Sequence, residues 1–350
     1  MQTEIIMGNR VRTRYHVALL LLALTPYGYA QQESVTILCG VQQEWCQAVQ
    51  REFAKETGIK VNMTRKSAGE AFEQLRAESG NPKADIWFGG TGDSHLHAAR
   101  NDLTLAYQSP NIHLLHEWAV DQAKKAGYKT VGLYAGPLGF AYNKDVLKAE
   151  KLAAPACWSD LAKPEYRGKV QMANPHSSGT AFMAIATLVQ IHGEDKAFQY
   201  LKALHRNISQ YPRQGTAPLK NTARGENAVS ISFIHDVPGE VMAGYPLASV
   251  APCEGTGYEI GSMSIVKGAR NLANAKRFYD WALTAPAQDV GAATRQFQLP
   301  SNIRAAIAPQ VPDMSKIRFI PYDFRKYGDP SERSRLLERW EREIIGQPGL

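Results

Sequence analysis

The chain has 350 residues, of which 44% are hydrophobic and 21% charged, an ordinary globular composition that excludes a disordered or fibrous protein. Its formal net charge is +7, but the Lys and Arg are spread along the chain, so nothing marks a nucleic-acid partner. Residues 1–30 are laid out as a secretory signal peptide: Arg10, Arg12 and Arg14 precede an apolar run from Val17 to Leu24 that is too short to span a bilayer. Small residues at Gly28 and Ala30 predict cleavage after Ala30, leaving 320 residues with a net charge of +5.

Four cysteines then enter an oxidising compartment, where an even number implies two disulfides. Three pairings are open; the favoured one joins Cys39 to Cys46 across a strand-to-helix turn and Cys157 to Cys253. No C-x-x-C pair supports a zinc site.

Short apolar strands alternate with helical stretches, the pattern of an α/β protein with mainly parallel sheets. Val35–Cys39 reads as a strand, Glu44–Thr57 as a helix with Trp45, Val49 and Phe53 on one face, and Lys60–Thr64 as a second strand. A helix over Ala71–Glu78 and a strand over Ala84–Phe88 follow, and the latter runs into the turn Gly89–Asp93. Thr130–Tyr142, with three glycines among β-formers, suits a strand crossing between lobes. Beyond it, strands are expected at Val170–Ala173, Ile208–Tyr211 and Ala228–Ile234, and an apolar helix at Gly179–His192. A return crossing passes Gly255 and Gly257 to a strand at Ser262–Val266. The last helix sets Leu336, Leu337, Trp340 and Ile344 on one face, with Arg and Glu on a solvated one. The expected division is residues 31–133 and 257–350, including the C-terminal helices, in a first lobe, and 134–256 in a second. Ligands of open α/β sheets bind at the carboxyl ends of the strands, hence in the cleft between the lobes.

Several segments fall at such ends. Ser177, Ser178 and Thr180 open the helix at Gly179, where free backbone N–H groups and the positive dipole end suit an anion; capping alone would also account for Ser178 or Thr180. Ser67 precedes another helix, and Thr91 and Asp93 occupy the glycine turn of the first lobe, which lacks the third glycine of a dinucleotide fingerprint. His235 and Asp236 end the strongest strand of the second lobe, and Glu259 lies in the return crossing. A hydrolase built on Ser178, His235 and Asp236 has no G-x-S-x-G elbow behind it, which makes enzyme the weaker class.

In Lys66–Glu70, Asp85–Asp93, Asn174–Thr180, Ser232–Asp236 and Cys253–Ser264 the chain resembles the periplasmic solute-binding proteins of ABC importers, in the branch usually labelled ferric-iron-binding. The likeness runs from Val35 to about Ile344. It implies a two-lobed periplasmic binding protein fold with two hinge strands and a central cleft, a monomer without cofactor, catalysis or resident metal, serving a membrane permease and its ATPase. Ferric binders of this kind hold iron with adjacent tyrosines, where this sequence reads Phe233-Ile234-His235-Asp236. The pattern looks more like the sub-branch that binds sugar phosphates. Carried over by motif, Ser67, Ser177, Ser178, Thr180 and His235 would grip a phosphate, and Asp236 and Glu259 the hydroxyls of a hexose. An aminophosphonate is the nearest alternative ligand.

Overall fold

The computed structural model describes residues 1–4, 8 and 33–346; the expected signal peptide and its cleavage site lie outside the described residues apart from its first few positions. Strand β1 (Ser34–Cys39) and helix α1 (Gln43–Thr57) form where apolar residues recur with the periods of strand and helix, and Trp45, Val49 and Phe53 are buried. Gly58, at φ 74°, closes α1 in the left-handed conformation that a side chain disfavours. β2 (Lys60–Arg65), α2 (Ala68–Ala77), β3 (Ile86–Phe88) and α3 (Gly92–Arg100) follow, and β2 and β3 both pair parallel with β1, one on each side. β4 (Thr104–Leu105) and α4 (Glu117–Lys125) then lead into β5 (Val131–Asn143).

β5 belongs to both halves of the molecule. Its residues Val131–Pro137 pair with the first sheet, and Leu138–Asn143 with the second. The second lobe continues through α5 (Lys144–Ala149), β6 (Val170–Gln171), α6 (Gly179–His192), α7 (Glu194–His205), β7 (Ile208–Gln210), α8 (Ala217–Ala223), β8 (Val229–Phe233), α9 (Val237–Met242) and β9 (Leu247–Val250). β10 (Tyr258–Val266) returns antiparallel to β5 and β3, so the principal order of strands is β2-β1-β3-β10-β5-β8-β6-β7. The architecture is the two-lobed α/β fold with β5 and β10 as crossing strands. Cys39 is bonded to Cys46 and Cys157 to Cys253, the favoured pairing.

After α10 (Leu272–Ala282), α11 (Ala285–Ala293) and β11 (Leu299–Pro300), the chain departs from the expected division. It passes the hinge a third time, where Thr256 bridges Phe319 and exchanges backbone hydrogen bonds with Arg318 and Ile320. α12 (Phe324–Tyr327) and α13 (Pro330–Trp340) follow. Leu336, Leu337, Trp340 and Ile344 are buried as their spacing predicts, but in the core of the second lobe with Phe182 and Phe198, not in that of the first. Residues 257–350 are therefore not all first-lobe. The polar side of α13 is also less solvated than expected: Arg333 is buried, and Arg335 and Arg339 are ion-paired to Glu194 of α7.

Candidate functional site

Three helices start at one cavity between the lobes, each just beyond a strand: α2 after Ser67, α3 after Thr91 and α6 after Ser178. The first four N–H groups of a helix lack intrahelical partners, so all three starts present donors and the positive dipole end to the same space. Ser67 forms a capping box in which Glu70 accepts its backbone N–H at 3.2 Å. Ser178 Oγ accepts from the Ala181 N–H at 3.4 Å, so its capping role is real, yet it also lines the cavity together with Thr180. Arg65, the last residue of β2, lines the same wall; its Nη1 donates to Ser67 Oγ at 3.3 Å and its Nε to the Val41 carbonyl at 3.2 Å. Burial draws its pKa down, while Glu70 and Asp236 oppose that shift; a guanidinium so placed stays charged.

The opposite wall has a different chemistry. β8 ends in a single tight turn, Ile234–Asp236, that turns His235 and Asp236 inward. His235 Nε2 stands 3.4 Å from Glu259 Oε1 and 3.5 Å from Asp236 Oδ1. Burial pushes the imidazole pKa down to about 3, so the ring is neutral and these are close polar contacts rather than ion pairs. Burial pushes the Asp236 carboxyl up to about 7, with Glu240 adding to the shift and a hydrogen bond from Gln42 Nε2 opposing it. Glu259 is raised well above the usual carboxyl range by burial and then by Asp236 and Asp93. Tyr134 completes this wall; its hydroxyl accepts the Gly90 N–H at 3.1 Å.

The cavity is narrow, about 40 Å³, and opens past Gln42, Thr216 and Asp236 into a vestibule of about 290 Å³. The lobes meet around it. The Gly69 N–H at the start of α2 donates to the Ser177 carbonyl at 3.0 Å, and Gln42 bonds Asp236 across the cleft.

Ser67, Thr91, Ser178, Thr180, His235, Asp236 and Glu259 thus line one space. Ser177 and Asp93 do not. The Ser177 hydroxyl is directed away, donating to the Arg213 carbonyl at 2.7 Å. Asp93 lies one turn into α3 and is consumed by a buried ion pair with Arg333 at 3.1 Å. Sequence reasoning missed Gln42, Arg65, Tyr134 and Gln298, all on the cavity wall. Only Arg65 carried a signal, as a cation ending a strand two residues before a helix cap; the others depend on which strands and loops the fold makes neighbours.

Residues 81–326 match the family of bacterial extracellular solute-binding proteins. An uncharacterized protein of Haemophilus influenzae is 40% identical over 341 residues, covering 96% of this chain and 98% of that one. The periplasmic binding protein AfuA of Actinobacillus pleuropneumoniae, solved with exogenous fructose-6-phosphate bound, is 44% identical with a TM-score of 0.87 over 90% of this chain and 99% of its own. The periplasmic binding protein P5PA is 37% identical with a TM-score of 0.86, over 89% and 99%. AfuA and P5PA are binding proteins, and the matched family is one of solute-binding proteins rather than enzymes. With its two lobes, its crossing strands and its interlobe cavity, the chain belongs to the family of bacterial extracellular solute-binding proteins.

Proposed function

We propose that the protein captures a hexose phosphate in the periplasm and delivers it to the permease and ATPase of an ABC importer. The observation that carries this reading is the convergence of three helix starts and Arg65 on one cavity whose far wall carries carboxyls without a cation in contact, among the described residues. One wall suits a phosphate dianion; the other suits hydroxyls. In this reading Arg65, Ser67, Thr91, Ser178 and Thr180 hold the phosphate, and His235, expected from the sequence on the phosphate but placed with its Nε2 beside Asp236 and Glu259, joins those two in holding the sugar. Ser177 contributes its backbone carbonyl to the closed lobes rather than its hydroxyl. The likeness to AfuA, solved with fructose-6-phosphate, supports the ligand class.

The cation-free carboxyls also favour an amine, which makes an aminophosphonate the competing ligand. Burial, which raises the Glu259 pKa well above the usual carboxyl range, disfavours its charged form and so favours the polyol, because a neutral acid hydrogen-bonds a hydroxyl without needing a counter-charge. A hard ferric ion held by adjacent tyrosines would need paired phenolates, and Tyr134 is the one tyrosine among the described residues lining this cavity, while the segment Phe233-Ile234-His235-Asp236 carries none. The lobes are taken as residues 31–133 with 257 to about 317, and 134–256 with the C-terminal helices, in a monomer whose leader is removed after Ala30.

Titration calorimetry with glucose 6-phosphate, fructose 6-phosphate, 2-aminoethylphosphonate, inorganic phosphate and ferric citrate tests the reading. The sugar phosphates are expected to bind most tightly and to be recovered intact. Preference for the aminophosphonate, a visible charge-transfer band with iron, or release of free phosphate would each replace it. N-terminal sequencing of the exported protein should begin at Gln31.

A further inference from the structure

Gly136 lies in β5 directly opposite Glu259 of β10, at the level where the two crossing strands pass the cavity. A Cβ on Gly136 would overlap the Nδ1 edge of the His235 ring, so the imidazole rests on bare backbone there. One face of the ring lies flat against Phe233, with centroids 5.1 Å apart and planes at 13°, and the residue is 1% exposed. Its Nε2 edge is already turned to Glu259 and Asp236. His235 Nδ1 finds no hydrogen-bond partner among the described residues, so the ring is held at that edge by fit alone. The three groups of the hydroxyl-binding wall are therefore gathered about one position that lacks a side chain.

We infer that Gly136 is a specificity-determining positioning residue: by leaving its place on the crossing strand empty, it seats His235 so that Nε2, Asp236 and Glu259 present one recognition surface to the non-phosphate end of the ligand. A methyl group at 136 would drive the ring toward the two carboxyls, into the space the ligand's hydroxyls need. None of the three atoms nearest a Cβ at 136 belongs to the phosphate wall, formed by Arg65 and the helix starts, so that wall would be left intact. The part of this inference that concerns hydroxyl recognition rests on the proposed sugar-phosphate reading; the seating of His235 does not.

The test uses Gly136→Ala, His235→Ala and the double variant of the full exported protein. Melting temperature, calorimetry with glucose 6-phosphate and with inorganic phosphate, and the imidazole 15N resonances of His235 are measured for each where the residue is present. Gly136→Ala should shift the His235 resonances and weaken glucose 6-phosphate at least tenfold, while inorganic phosphate changes less than twofold. Should Gly136→Ala fold poorly, the double variant should recover the melting temperature of His235→Ala, because the clash has gone. In the His235→Ala background the alanine at 136 should change glucose 6-phosphate affinity less than twofold. Unmoved resonances, equal losses for both probes, or a double variant as damaged as Gly136→Ala would overturn the inference. A wild-type protein that ignores glucose 6-phosphate overturns the ligand reading instead, and the resonances and melting temperatures still decide the seating.

Discussion

Arg65 and Ser177 make opposite forecasts although both stand beside the cleft. Hydrogen bonds to charged groups contribute about 1.5 to 3 kcal/mol, so Arg65→Ala should weaken glucose 6-phosphate roughly tenfold to a hundredfold. Arg65→Lys should restore only part of it, because a point charge cannot donate along two directions as the planar fork does. Ser178→Ala and Thr180→Ala should fall in the same range, whereas Ser177→Ala, whose hydroxyl serves the Arg213 carbonyl, should leave affinity unchanged. Calorimetry on the four alanine variants decides; a Ser177 variant as weak as the Arg65 variant would contradict the assignment. Asp236 yields a pH forecast. Its carboxyl rises on folding from 3.8 to about 7, so its contribution to stability is fully present below pH 3.8 and is lost as pH climbs through 7. Asp236→Asn removes that loss. Its melting temperature, measured relative to wild type at matched pH, should improve steadily between pH 4 and pH 7; a constant difference would mean that the buried carboxyl is not the titrating group. His235, pushed down to about 3, acts with the opposite sign below pH 6.5, which is why the comparison is made between variants and not on the wild type alone.

Helix starts do two jobs here: they present N–H groups to the cavity and they form the contact between the lobes. Gly179, the first residue of α6, abuts Thr91 at the head of α3, and a Cβ on Gly179 would overlap the Thr91 hydroxyl. Gly69 in α2 meets the His176 carbonyl in the same way. Gly179→Ala should therefore hold the lobes apart: affinity for glucose 6-phosphate falls, the melting temperature of the ligand-free protein barely changes, and scattering shows no contraction on adding ligand. Normal contraction at full affinity would refute this use of the glycine. The helix starts were legible in the sequence because strand, small polar residues and apolar helix follow one another locally, as at Asn174–Ala181. Most strands of both lobes were legible for the same reason, by alternation and by β-branched residues, whereas β4, β9 and β11 were not read, and α2 begins at Ala68, three residues earlier than its apolar spacing suggested, since Ser67 and Glu70 close a capping box there. What could not be read was proximity between distant segments. Tyr134 beside Gly90, Gln42 beside Asp236 and Arg333 beside Asp93 are separated by 44, 194 and 240 positions, and no local pattern encodes those meetings.

The third passage of the chain at the hinge changes how the two lobes are tied. α13 packs Leu336, Leu337 and Trp340 into the second lobe and sets the Arg333 guanidinium 4.1 Å over the Phe182 ring, while the same side chain reaches Asp93 of α3 in the first lobe. Asp93 is wholly buried and Arg333 5% exposed, so this is an ion pair between lobes that water does not screen. A hinge of two strands alone would let the lobes part freely; this pair must be broken or carried along when they do. Removing one partner of a buried pair leaves the other charge uncompensated and costs about 3 to 5 kcal/mol, whereas replacing both with apolar groups of similar volume costs far less. Arg333→Met should accordingly lower the melting temperature sharply. Asp93→Leu combined with Arg333→Met should regain most of that loss, and the recovered variant, freed of the tie, should have a larger radius of gyration than wild type without ligand. Its affinity for glucose 6-phosphate should drop, because closing now begins from a wider opening, although neither residue lines the cavity. If Arg333→Met melts with the wild type, the pair contributes nothing; if the double variant is stable yet as compact as wild type, the pair holds the fold but does not restrain the lobes, and opening is governed by β5 and β10 alone.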